Sequence, residues 1–216
     1  MRLSGRSGLR QRRRVGATAA LGGVLWVPYG VFEMLQSWGI DTVYRDDRGY
    51  EVVTDAWLYW VYSLPGSLAL LLTALGLLGV VAVRGPRTSR AGRSGLVLAY
   101  AALALAVLSL AGLIVRFDPL FTAPRIFGTL ALGAGPLLAG IEARWAGTAP
   151  GWAVALLALG LLGLFLLPLW PLVFALEVVS EGGGAGIIAL FGLGWVLVGH
   201  RLWSRPSAAD DPSPLR

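Results

Sequence analysis

Four arginines, Arg10, Arg12, Arg13 and Arg14, stand directly before a mostly apolar run from Val15 to Ser37, and no other feature restricts the fold of this chain as tightly. An apolar stretch of about 20 residues is the length at which one helix crosses the hydrocarbon core of a bilayer. Arginines at its start fix the direction, because cytoplasmic loops carry the excess of basic residues. A first helix that starts in the cytoplasm then sets the orientation of everything after it.

Five more apolar runs follow, and the sequence predicts spans at 15–37, 63–83, 95–115, 122–141, 152–170 and 185–203. The fold class expected is an all-α integral membrane protein. It is a six-transmembrane-helix bundle with both termini cytoplasmic (N-in/C-in), multi-pass in the plasma membrane, with a short extracytoplasmic β-hairpin. Residues 1–14 form a basic cytoplasmic arm without periodicity, expected to be flexible, and 38–56 form the outer loop. The Pro- and Asp-bearing tail at 204–216 has the composition of a disordered segment. A secretory signal would share the basic start, but this apolar run is longer than such a signal needs and no small-residue cleavage pattern follows it.

Composition supports a lipid-embedded chain. It is 56% hydrophobic and 14% charged, whereas soluble domains carry about 25% charged residues. The net charge of +6 comes from 18 arginines and no lysine. Such a total invites a nucleic-acid reading, but position argues against it. Arginines cluster before Gly16, in Val83 to Ser94, at Arg144 and in the tail, while only Arg45, Arg48, Arg116 and Arg125 fall on the other side. That is a topology signal, and no nucleic-acid partner is expected. Arg10, Arg12, Arg13, Arg14, Arg84, Arg87, Arg90 and Arg93 are the candidate contacts to anionic lipid, each contributing about 1 kcal/mol near a negative leaflet. The exclusive use of arginine fits a GC-rich bacterial genome, an inference from codon usage. The absence of cysteine removes disulfides, thiolate metal sites and cysteine nucleophiles.

Within the outer loop, Thr42-Val43-Tyr44 and Tyr50 to Thr54 are rich in strand formers and flank Asp46-Asp47-Arg48-Gly49, a turn cluster. The pattern is a β-hairpin, which alone is marginal in water and must lean on something else. Its acids lack EF-hand spacing, so calcium is not expected. Trp57, Tyr59, Trp60 and Tyr62 then crowd together as an interfacial aromatic belt. Further on, Gly95, Ala99, Ala102, Ala106 and Ser109, and again Gly128, Ala131, Gly135 and Ala139, make small-residue stripes at helical spacing. These permit close helix approach, and they serve contacts within one chain as readily as a homo-oligomer or another membrane partner. Pro136 predicts a kink. Residues 172–181 either continue the fifth helix or lie in the interface. Ala-Leu-Gly-Leu-Leu-Gly occurs at 74–79 and at 158–163, in helices that a three-plus-three inverted repeat would relate, although its residue types dominate the chain.

Glu33 is the leading single candidate. It lies about 28 Å along the first helix from Arg14, near the outer boundary. With Gly22, Trp26 and Tyr29 it shares one helical face, so a carboxylate and a phenol can line an outer vestibule beside Pro28. Alternatively Glu33 is a boundary acid paired with Arg125 or Arg116. Arg116, Asp118, Arg125, Glu177 and Glu181 fall at the same level, and the candidate vestibule is Glu33, Tyr29, Trp26, Arg116, Arg125 and Glu177. His200 is the only histidine and lacks companions for a metal. No catalytic residues, cofactor or metal are expected, since H-E-x-x-H, P-loop and paired intramembrane acids are all missing. Three functions remain. The first is a structural, assembly or regulatory membrane protein without catalytic activity. The alternative is a small permease-like transporter of an apolar or lipid-like substrate. An intramembrane enzyme has no positive support.

Overall fold

Helix boundaries in this chain are decided by caps more than by hydropathy. The computed structural model describes residues 5–35, 41–83, 89–145, 151–175 and 186–204. Its elements are α1 (Gly5–Leu35), β1 (Thr42–Arg45), β2 (Tyr50–Val53), α2 (Ala56–Val83), α3 (Arg90–Val115), α4 (Asp118–Trp145), α5 (Gly151–Ala175) and α6 (Gly186–Ser204). Asp55 starts α2: its Oδ1 accepts the Trp57 and Leu58 amides at 2.9 and 3.0 Å, so two orphan donors of the first turn are satisfied. Ser89 does the same for α3, accepting the Gly92 amide at 3.0 Å. At the far end of α3, Arg116 adopts the left-handed conformation, φ 55°, and returns its amide to Gly112 and Leu113 carbonyls. Gly112 is needed there because a Cβ would meet the Leu120 and Phe121 backbone.

Two expectations shift as a result. α1 begins at Gly5, so Arg10 to Arg14 stand on a helix continuous with the apolar run instead of a flexible arm. Because α2 begins at Ala56, residues 57–62 are already helical and cannot all sit in one belt. Two residues turn a helix by about 200°, which puts Trp57 outside (75% exposed) and Tyr59 inside (1% exposed). The hairpin forms where expected, with Thr42 opposite Val53 and Arg45 opposite Tyr50 around the turn at 46–49. It leans on the α3–α4 turn, with the Tyr50 ring edge-on to Phe117 at 5.3 Å. α5 runs on through 172–175, so that part of the 172–181 stretch continues the fifth helix; the remainder from 176, with Glu177 and Glu181, and Arg84, Arg87 and the tail from 205 lie outside the described residues, as does the side chain of Glu33.

The helices pack in chain order and the ring closes: α1 lies against α2 and α6, α3 against α2 and α4, and α5 against α4 and α6. A further contact joins α2 to α4 across the middle. These two are the central helices, with 56% of their most apolar stretch buried against 33% for α3 and 28% for α6. Neighbours run antiparallel, as the close approaches record. Gly22 meets Thr73 and Gly76 meets Ala19; Gly16 meets Gly199 and Gly23 meets Gly192; Gly140 meets Leu157 and Gly163 meets Gly133. The start of α1 and the end of α6 therefore share one end of the bundle, and the hairpin closes the other. Both predicted small-residue stripes, in α3 and in α4, are buried, and Gly95 of one faces Gly135 and Ala139 of the other.

Five helices are long and apolar enough to cross a membrane: α1, α2, α3, α4 and α6. The described apolar part of α5, Ala153–Phe165, is shorter. Large side chains such as Val97, Tyr100, Val107, Phe127, Phe165 and Leu197 point outward. An exposed apolar girdle on this scale is what a lipid environment accommodates and water does not.

Candidate functional site

The vestibule residues divide into a packed interior and a charged rim. Trp26 and Tyr29 are buried. Trp26 meets the Tyr29 and Phe191 rings edge-to-face, each at 5.8 Å, a favoured aromatic geometry. Its Nε1 donates to Thr73 Oγ1 at 3.4 Å, and the Thr73 hydroxyl donates on to the Ala69 carbonyl at 2.6 Å. The Tyr29 ring lies on Gly66, where a Cβ would come within 2.8 Å of it. Pro65-Gly66 thus sits inside α2 and makes room for the phenol. One more interhelical pair, Ser67 with Ser109 at 3.3 Å, uses two of the other polar groups in the interior.

Arg125, two turns into α4, spreads its guanidinium over two rings, 5.0 Å from the Tyr29 centroid and 4.4 Å from that of Phe121. Cation–π contacts of this kind contribute about 1–2 kcal/mol once partly desolvated. Phe121 in turn packs edge-to-face on Tyr59 at 5.5 Å. The Tyr59 hydroxyl is buried; Asp118 lies close to it, with Arg125 and Asp41 in electrostatic range, but no group meets hydrogen-bond geometry with it among the described residues. Asp118 instead accepts the Thr122 hydroxyl at 3.0 Å. The hairpin forms the roof. Thr42 donates to Glu51 at 2.8 Å, and the buried Asp41 accepts the Thr54 amide on its carbonyl at 2.8 Å.

This end of the bundle therefore gathers Tyr29, Tyr59, Asp118, Phe121 and Arg125 beneath Asp41 and Glu51. Of the predicted vestibule, Trp26, Tyr29 and Arg125 come together. Arg116 does not join them; it is exposed at the α3 terminus. Glu33 stands one turn beyond Tyr29 on α1. Tyr59 and Phe121 were not candidates on sequence. The Asp55 cap, which turns Tyr59 inward, was the signal available. Among the described residues, no three acids or histidines are placed to hold a metal ion.

At the opposite end, Arg10, Arg12, Arg13, Arg14, Arg90 and Arg93 are exposed, as are Trp145, His200, Arg201 and Trp203. The acid at this end among the described residues is Glu142. Its Oε1 accepts the Ser89 hydroxyl at 2.9 Å, and the carboxylate lies against Gly92, where a side chain would collide with it. A carboxylate at the amide end of α3 is favoured by the helix dipole. Nothing in the sequence pairs Glu142 with α3, although Ser89 before a helix is a recognisable cap. No protein-family model, no curated protein and no solved structure matches this chain.

Proposed function

We propose that the chain is a six-span protein of the plasma membrane with both termini cytoplasmic, acting in structure, assembly or regulation and not in catalysis. The observation that carries this reading is the filled interior. Trp26, Tyr29, Phe191 and Trp195 are buried together in one packed core cluster, and Thr73, Ser67 and Ser109 spend their polar groups on one another, on Trp26 or on backbone. Polar residues of a transport path face a cavity instead. Counting α5 as the sixth span rests on its helical length from Gly151 to Ala175, and the orientation rests on the arginine-rich end.

The repeated Ala-Leu-Gly-Leu-Leu-Gly does not favour transport either. Gly76 of the first copy meets Ala19, five residues from Arg14, and Gly160 of the second meets Leu137, five residues from Glu142. Both copies thus lie about 7 Å inside the same edge, whereas an inverted repeat places them in opposite halves. Reconstitution into vesicles containing a fluorescent phospholipid, with an impermeant quencher added outside, tests the reading. No protein-dependent lipid movement is expected; movement that Glu33→Gln abolishes overturns it in favour of a transporter.

A further inference from the structure

The close contacts of α1 with α6 set a register that brings basic and aromatic side chains to one spot. The Cβ position of Gly16 falls between the Gly199 carbonyl and the Trp203 amide, and that of Gly23 between the Gly192 carbonyl and the Val196 amide, so Arg14 stands about level with Trp203 and Arg12 about 3 Å farther out. Arg12 also shares a helical face with Gly16, four residues on, which is the face turned to α6. Arg13 is the next residue around on the α6 side. A Cβ on Gly16 would lie 3.1 Å from the Trp203 amide nitrogen, so the two backbones are still in contact two residues from Arg14. All of these side chains are exposed. Because α1 is helical from Gly5, the guanidiniums are carried on a rigid rod at a set height, not on a loose arm.

We infer that the mouth of the α1–α6 seam binds the headgroup of an anionic phospholipid from the leaflet it faces. Arg12 and Arg13 take the phosphate, and Trp203 lies at the glycerol level. This rests on the membrane reading above. Charge complementarity identifies the occupant: Glu142, the acid at this end among the described residues, is engaged by Ser89 on α3 and α4, helices that do not flank the seam. Guanidinium forks suit phosphate oxygens, and an interfacial indole is the usual companion of such a site. The sequence showed only that arginines abound here; the seam selects two of them.

Purified full-length protein, offered phosphatidylglycerol and phosphatidylcholine in equal amounts in mild detergent, tests this by native mass spectrometry. Wild type is expected to retain phosphatidylglycerol with about tenfold preference. Arg12→Gln/Arg13→Gln loses that preference, while Arg90→Gln/Arg93→Gln, which removes charge from α3 at the same end, keeps it. Circular dichroism checks that each variant is folded, and Arg12→Lys/Arg13→Lys keeps a preference if the loss is one of charge. Equal loss in both glutamine variants, no loss in either, or displacement by excess inorganic phosphate overturns the seam as a lipid site. A protein that inserts correctly but shows no preference defeats this inference and leaves the functional reading intact.

Discussion

The α1–α6 seam and the hairpin-capped end solve the same problem, joining chain segments distant in sequence, by opposite means. In the seam the backbones themselves touch: a Cβ added to Gly23 would come within 2.6 Å of the Gly192 carbonyl and of the Val196 amide. At the capped end the contact is made by large side chains, Tyr59, Phe121, Tyr50 and Phe117, and by hydrogen bonds from the hairpin. The difference follows the solvent. Inside lipid there is no hydrophobic gain from joining two apolar helices, so shape and dispersion decide, and glycine gives the closest approach. At the water boundary burial of apolar area is again rewarded, so rings and a hairpin are the efficient joint.

Substitutions that enlarge a residue should therefore damage the seam far more than the cap. Gly23→Val or Gly192→Val is expected to cost about 3 kcal/mol, read as a large drop in thermal midpoint in detergent; an unchanged midpoint breaks the contrast. Ser89→Ala removes a helix cap and a hydrogen bond to Glu142 and should cost about 1–2 kcal/mol in the same assay. Tyr59→Phe is expected to move stability the other way, by about 1 kcal/mol upward, because it deletes a buried hydroxyl that lacks a geometrically sound partner. A loss there would place a real bond between Tyr59 and Asp118 and sharpen the picture of the cap. Smallest is Gly49→Ala at the hairpin turn, where φ is +69°. The strain of about 1 kcal/mol should raise amide exchange only across 42–53 and leave the helices untouched.

How much of this was legible depends on how local each signal is. The small-residue stripes of α3 and α4 and the hairpin around Asp46 to Gly49 are written in short-range spacing, and the structure buries or pairs those residues accordingly. Helix starts were placed late because hydropathy was followed, whereas Asp55 and Ser89 hold the amides of earlier turns. The seam joins the two ends of the chain. The sequence does contain glycines seven apart in both helices, Gly16 and Gly23, Gly192 and Gly199, but spacing cannot say which helix they face. Arg125 was read as the partner of an acid; its rings, Tyr29 and Phe121, come from two different helices, and only packing reveals that.

Everything above requires the two chemically distinct ends to lie on opposite faces of a membrane, with both chain termini on the arginine-rich face. The chain has no native cysteine, so single cysteines report without background. In intact cells, Arg48→Cys in the hairpin turn should react with a membrane-impermeant maleimide, while Ser7→Cys and Ser204→Cys should react only after permeabilisation. Labelling of Ser7→Cys and Ser204→Cys from opposite sides, or of Arg48→Cys from the same side as both, contradicts the account.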